Sequence, residues 1–327
     1  MLLSVIMPAY NCKYTVKNAI GSVLRQSFSD FELIIADDGS TDGTSELLDE
    51  TESECKEIKV LHGENGGPGA ARNAGISAAS GDYILFLDSD DEFMKYAFEV
   101  ISENLSSDSC DMFIFGFKQR FFGKAPDRIY SYEGEPDIDI LYENNLLNQV
   151  WNKAFKREFL IKNNILFGGY RYGEDRLFNG DCLEKKPEIS VIPYVLYNYN
   201  IDDKTSLISG YVPEKFDACK EIYERFSRLC VNRGTADKMF LKNILSCLTV
   251  LYADNCPLTN EEKVKEADRI LNDESVKKAM SEKQDSASIE IIRRIINTKK
   301  PGLNLKFARA VSDCQKNLLP VFLKFRG

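Results

Sequence analysis

Two apolar runs rich in β-branched and aromatic residues, Phe31-Glu32-Leu33-Ile34-Ile35-Ala36 and Tyr83-Ile84-Leu85-Phe86-Leu87, each stop at a cluster of aspartates. The first leads into Asp37-Asp38-Gly39-Ser40-Thr41-Asp42-Gly43-Thr44, the second into Asp88-Ser89-Asp90-Asp91. Runs this short suit buried strands better than helices. Carboxylates at the ends of strands in an open α/β sheet face the crevice outside the carboxyl edge, where such sheets bind ligands. Further strands are predicted over 2–7, 57–62 and 111–117. Helices are predicted between them, over 14–26, where Val16, Ile20, Val23 and Leu24 form one stripe, and over 42–50. This alternation predicts a largely parallel α/β sheet with crossover helices up to about residue 117.

Beyond it, Gly123, Pro126, Gly134 and Pro136 mark the turns of a surface insertion over 118–145. A helix is predicted to begin near Trp151-Asn152-Lys153 and run through Phe155, Phe159 and Leu160, with a second aromatic run at Tyr194–Tyr199. From Pro213 the pattern is helical. Phe216, Ile222, Tyr223, Phe226 and Leu229 share one apolar face, and Phe240, Ile244, Leu248 and Leu251 share the next. Thr259-Asn260-Glu261-Glu262 has capping-box spacing, and Pro301-Gly302 divides the tail into two basic-amphipathic pieces.

A formal net charge of −9 over 327 residues argues against nucleic acid as a partner, because phosphate binding needs a basic face. From residue 289 onward, however, nine basic side chains face two acidic ones. Such a tail has three uses open to it: peripheral contact with an anionic inner leaflet near a lipid-linked acceptor, a solvated cap, or a homodimer surface. No apolar run reaches the roughly 18 residues a spanning helix needs. Met1–Pro8 reads as a first strand and not a signal peptide, so a cytoplasmic location is expected, with the inner face of the plasma membrane as its extension. Nine cysteines without Cys-x-x-Cys spacing fit reduced, buried thiols.

Asp38, Ser40, Asp42, Gly43 and Asp49 imitate a calcium loop, but an EF-hand needs a helix where Phe31–Ala36 is strand-like, and a glutamate where Asp49 stands. In the first cluster, one carboxylate can accept the N3–H of a uracil and its neighbour a ribose hydroxyl, each charge-assisted bond worth roughly 1.5–3 kcal/mol. Asp88 and Asp90, alternating across one turn, offer hard oxygens to Mg2+ or Mn2+. Between them, Gly63–Gly75 is a glycine-rich loop opening a helix near Pro68, with Arg72 one turn inside as a nucleotide or diphosphate contact. Ala71, Gly75 and Ala79 recur at helical spacing and let that helix lie close on the sheet. His62, the only histidine, has no partner for a zinc site or a catalytic triad and reads as an uncommitted loop residue.

Val5-Ile6-Met7-Pro8-Ala9-Tyr10-Asn11, the Asp-Asp-Gly-Ser-x-Asp-x-Thr loop, Gly-Pro-Gly-Ala-Ala-Arg-Asn-Ala-Gly and Asp88-Ser89-Asp90-Asp91 follow one another in an order and spacing that closely resemble family 2 glycosyltransferases. That family includes bacterial enzymes that build capsule, O-antigen and other surface polysaccharides. The resemblance spans about residues 3–210. It implies a GT-A fold, a Rossmann-like mixed sheet, with a transferase domain over 1–212 (nucleotide-sugar half 1–117, acceptor half 118–212) and a helical C-terminal extension over 213–327. It also implies inverting transfer from a UDP-sugar to a saccharide or lipid-linked acceptor, with Mn2+ or Mg2+ against the diphosphate.

Carried onto this chain, the resemblance puts Pro8, Ala9 and Tyr10 at the base, Asp37 on uracil, Asp38 at the nucleoside and Arg72 at the nucleotide. Asp88, Ser89 and Asp90 would bracket ribose and metal, with Asp88 and Asp90 as the metal ligands. Glu174-Asp175 matches the family's Glu-Asp pair, with Asp175 as general base. Trp151 stacks on a sugar or packs in the core, with Lys153 ordering the same wall. Where many relatives carry an arginine after the aromatic run, this chain has Asn200, Asp202, Asp203 and Lys204, which leaves Lys204 as the substitute in the diphosphate clamp. Two other readings stay open on the residues alone: a sugar-1-phosphate nucleotidyltransferase, and a non-catalytic polysaccharide- or calcium-binding module.

Overall fold

The computed structural model describes residues 3–107, 110–122, 125–201, 210–281, 287–298 and 300–317. They gather into two compact units, Met1–Phe121 with Asp127–Ile201, and Phe122–Pro126 with Asp202–Gly327. The first unit opens with β1 (Leu3–Ala9), α1 (Val16–Leu24), β2 (Phe31–Asp37), α2 (Thr44–Glu54), β3 (Ile58–His62), α3 (Pro68–Ala78) and β4 (Tyr83–Phe86). It continues with β5 (Glu92–Phe93), α4 (Ala97–Ser107), β6 (Met112–Arg120), β7 (Arg128–Tyr130), α5 (Ile138–Glu143), β8 (Lys153–Lys156), α6 (Arg157–Lys162), α7 (Glu174–Glu184) and β9 (Ile189–Asn200). The strands form one sheet in the order β3-β2-β1-β4-β8-β6-β9-β5, with β7 paired on β6. β1 to β4 are parallel, as their alternation with crossover helices requires.

One element departs from the sequence reading. The segment from Lys153, expected to be helical, first makes strand β8, antiparallel to both β4 and β6, and only then turns into α6. Four residues carry too little periodicity to separate strand from helix, and the deciding factor is the slot between two buried strands, where Ala154 and Phe155 are fully covered. The aromatic run at Tyr194–Tyr199 is the end of the longer strand β9, which accommodates Pro193 at a register shift against β6.

Phe86, at the end of β4, meets Phe155, Phe167 and Phe178 edge-on at 5.5–6.0 Å, and so packs β4 against β8, the segment before α7, and α7 itself. In the N-terminal half, α3 lies directly on β1. A Cβ built on Gly75 would stand 2.3 Å from Ile6 Cγ2, so the small residue is what lets the helix approach.

The second unit holds α8 (Lys215–Leu229), α9 (Arg233–Thr249), α10 (Asn260–Leu271), α11 (Glu274–Ala279), α12 (Ala287–Asn297) and α13 (Pro301–Asn317). Phe216, Ile222, Phe226, Phe240, Ile244 and Leu248 are buried as their spacing predicts, and the Tyr223 ring stacks on Phe240 at 4.2 Å. The Thr259–Glu262 capping box forms in full, and Pro301 stands at the first position of α13. The basic tail is partly neutralised from within, because Arg293 and Arg294 both pair with Glu290, at 2.7 and 2.9 Å. Among the described residues no helix is long and apolar enough to cross a membrane, and the described cysteines are free thiols.

The Gly75 contact generates a prediction. Gly75→Ala should overpack the α3–β1 interface and cost about 1–3 kcal/mol, lowering the thermal midpoint by several degrees. Calorimetry of the two proteins checks it, and an unchanged midpoint would mean that α3 moves off the sheet without cost.

Candidate active site

Because β1 to β4 run parallel, the loops that follow them share one edge of the sheet. The loop after β1 and the loop after β2 clasp each other. Asn11 N–H donates to Ser40 Oγ, Thr41 N–H donates to Asn11 Oδ1 at 2.8 Å, and Asp38 N–H donates to the Ala9 carbonyl at 2.8 Å. Ala9 is buried and contributes this backbone contact, Pro8 is half-buried, and Tyr10 is 50% exposed at the rim. Gly39 at φ 76° turns the chain in a region that disfavours a side chain.

The two adjacent aspartates are hydrogen-bonded in different ways. Asp37, expected on uracil, is 3% exposed. Its Oδ1 accepts from Ser40 N–H at 3.1 Å, and its Oδ2 accepts from Ser45 Oγ at 2.6 Å and from His62 Nδ1 at 2.9 Å. Burial alone would raise its pKa, but these donors outweigh burial and hold it low. A carboxylate so committed organises the loop. Asp38 accepts one bond on each oxygen, from Gly66 N–H and Gly67 N–H, both at 2.8 Å, which leaves each oxygen a lone pair for a ligand. Gly67, at φ 87°, supplies the second of those donors just before Pro68 opens α3.

His62, read from sequence as uncommitted, bridges Asp37 and Asp49, with its Nε2 2.9 Å from Asp49 Oδ1. Asp49 comes from the helix α2, two turns after the loop, so no short-range signal joined the three residues. The calcium-loop imitation fails as reasoned, since a strand precedes it and Asp49 turns to the histidine.

The second acidic cluster is held from behind by β9. Tyr197 O–H donates to Asp91 Oδ2 at 2.9 Å, Asp88 N–H donates to Tyr197 Oη, and Asn200 N–H donates to Asp91 Oδ1 at 2.7 Å. Asp91 is fully buried, and burial with Asp90 and Asp88 close by pushes its pKa well up. It therefore anchors the turn, while Asp90 is exposed and Asp88 and Ser89 are half-buried on the open side.

Arg72 joins this turn to α7. It is 4% exposed; Nη2 donates to Asp88 Oδ1 at 2.8 Å and Nη1 to Asp175 Oδ1 at 3.1 Å, with Glu174 Oε1 at 3.5 Å and the Phe167 ring 5.3 Å away. The expected nucleotide contact thus appears as a carboxylate clamp, because a buried guanidinium takes the nearest anions. Burial opposes its charge, but Asp175, Asp88 and Glu174 together raise its pKa. Gly173 at φ 75° starts α7 so that Glu174 and Asp175 fall in its first turn, where the helix dipole favours anions. Burial and the neighbouring Asp175 still push Glu174 up to about 7. Burial likewise raises Asp175, with Arg72 opposing.

Trp151 is 5% exposed and stacks on Tyr197 at 4.4 Å, so it packs the wall behind the site and offers no face to a sugar. Lys153 is fully buried, and burial brings its pKa down to about 7. Lys204 lies outside the described residues.

A family model described as glycosyl transferase family 2 matches residues 4–176, more than half of the 327. The chain belongs to glycosyltransferase family 2. Its sheet and the C-terminal helices are a GT-A domain with a helical extension, and the protein is a transferase. The uncharacterized glycosyltransferase EpsJ of Bacillus subtilis is 28% identical over 296 residues, covering 85% of this chain and 86% of that protein. A poly(ribitol-phosphate) beta-glucosyltransferase of Bacillus spizizenii is 29% identical over 219 residues, 65% of this chain but only 34% of the longer relative. The structure of S. aureus TarS 1-349 in complex with UDP-GlcNAc superposes with a TM-score of 0.70 at 19% identity, covering 97% of this chain and 92% of that one. Membership in family 2 sets aside both the nucleotidyltransferase and the non-catalytic module.

The His62 bridge generates a pH prediction. Its two hydrogen bonds to Asp37 and Asp49 raise its folded pKa above the ordinary 6.5. Its stabilising effect is therefore complete below the unfolded value and is lost as pH rises through the folded one. With the ring 47% exposed, solvent screening keeps the effect under about 1 kcal/mol. Thermal midpoints measured from pH 6 to 8.5 should fall more for the wild type than for His62→Gln, and parallel curves would remove the histidine from the loop's stability.

Proposed function

We propose that this transferase moves a hexose or N-acetylhexosamine from a UDP-sugar, with inversion, to a saccharide or lipid-linked acceptor in cell-surface polysaccharide assembly. The observation that carries the reading is the Arg72 clamp, which brings a half-exposed carboxylate of the Asp88 turn and the raised-pKa carboxylate Asp175 to one side chain. The UDP-GlcNAc complex of TarS and the polymer glucosyltransferase relative support the choice of donor and acceptor class.

In this reading the base docks at the loops after β1 and β2. Asp38, with its spare lone pairs, accepts the uracil N3–H in place of Asp37, and Pro8, Ala9 and Tyr10 border the ring. Asp175 accepts the proton of the acceptor hydroxyl as that oxygen attacks the anomeric carbon. The bond from that carbon to the diphosphate oxygen breaks on the opposite side, and its electron pair leaves with UDP. A carboxylate with a raised pKa suits this step, since a base works best when its affinity for protons approaches the ambient pH.

Asp88 and Asp90 fit a divalent cation by the chemistry of their oxygens. Among the described residues no group of three or more His, Cys, Asp or Glu side chains converges on one point, so the remaining ligands would be diphosphate oxygens and water, the habit of Mg2+ and Mn2+. Held there, the cation would offset charge on the departing diphosphate.

Two variants test this. Asp175→Asn should keep UDP binding and lose about a hundredfold or more in transfer rate, as removing a general base does; wild-type turnover in that protein would sink the assignment. Asp90→Ala should weaken UDP binding, measured by thermal shift over a panel of UDP- and GDP-sugars, chiefly when Mn2+ is present. Equal weakening with and without the metal would count against a ligand role.

A further inference from the structure

Between α5 and β8 the chain passes through residues 144–152 without helix or strand, yet Leu146, Leu147, Val150, Trp151 and Asn152 are all buried. Irregular backbone in an interior leaves carbonyls that must find donors. Here they find three side chains. Lys153 Nζ donates to Leu146 O at 2.7 Å, to Gln149 O at 2.5 Å and to Asn152 Oδ1 at 2.7 Å. Asn152 Nδ2 donates to Phe115 O and Leu146 O, and Asn179 Nδ2 to Leu147 O and Gln149 O, at 2.9–3.2 Å. The hydrogen bonds of Lys153 all go to neutral oxygens. A buried ammonium with no carboxylate in contact carries a desolvation cost that an apolar side chain would avoid. Its donors satisfy the carbonyls of this segment, and Asp175 lies near enough to favour its charge.

The segment so pinned ends on the proposed base. Val150 N–H donates to Asp175 Oδ2 at 3.3 Å, opposite the Oδ1 held by Arg72. Asn179 lies one turn after Asp175 on α7, so the same helix that carries the carboxylate also grips the segment. We propose that Lys153, with Asn152 and Asn179, is a positioning residue for Asp175, fixing the 146–150 segment so that Val150 N–H sets the orientation of the carboxylate. This rests on the reading of Asp175 as general base. A misplacement of about 1 Å at such a group costs up to roughly a hundredfold in rate.

The test uses the whole chain with Mn2+ and the fastest donor among UDP-glucose, UDP-galactose, UDP-N-acetylglucosamine and UDP-N-acetylgalactosamine, with UDP release to water as the readout. Lys153→Met keeps the alkyl stem and removes the three donors. It should lower kcat about tenfold or more while KM for the donor stays within about twofold, and it should add no further loss in an Asp175→Asn background. A loss that multiplies with Asp175→Asn, or one confined to KM, or an unchanged kcat, overturns the proposal. If Lys153→Met does not fold, Asn179→Ala, which removes two of the bonds, decides by the same split at smaller amplitude. Asp175→Asn alone at the wild-type rate would instead overturn the base assignment, and the positioning role with it.

Discussion

Arg72 is one buried cation facing three carboxylates, and the arrangement of the site depends on it. Asp88 sits at the end of β4 and Asp175 at the start of α7, 103 residues from Arg72 in sequence, and the guanidinium holds both within hydrogen-bond distance. Removing water from such a group is costly and is offset only when several partners converge with good geometry. The direction of Arg72 follows from α3, which can approach β1 because Gly75 leaves room for Ile6 one turn further on. A packing detail in the core thus sets where a charge stands at the sheet edge.

Around that clamp, most polar groups of the edge are spent on one another. Asp37, His62 and Asp49 form a bridge under the first loop, and Asp91, Tyr197 and Asn200 form one under the second. On the open side stand the exposed Asp90, the half-buried Asp88 and the rim at Tyr10. Groups held in place before a ligand arrives need little reorganisation when charge develops, which is how electrostatic stabilisation reaches its full value in a partly dry site.

Much of this was legible in the sequence. The strands that end in aspartates, the glycine-opened helix, the capping box and the amphipathic helices of the second unit all rest on local patterns, and local patterns are visible in a string of residues. The family followed from four such motifs in order. Two kinds of feature were not legible. β8 was read as helix because four residues cannot show a period, and the slot between β4 and β6 decided the matter. His62 looked unattached because its partners come from a loop and a helix that only the fold brings together.

The residue types at the carboxyl edge of the sheet, and so the family, were determined by the sequence alone, because motifs of this kind are local. The division of labour among them was decided only in three dimensions. Asp37 and Asp38 are indistinguishable as neighbours in sequence, yet of these two buried side chains one faces three donors and the other accepts a single backbone N–H on each oxygen. Arg72 could have met a phosphate or a carboxylate. The direction each side chain takes sets these partners, and direction is a property of the packed chain.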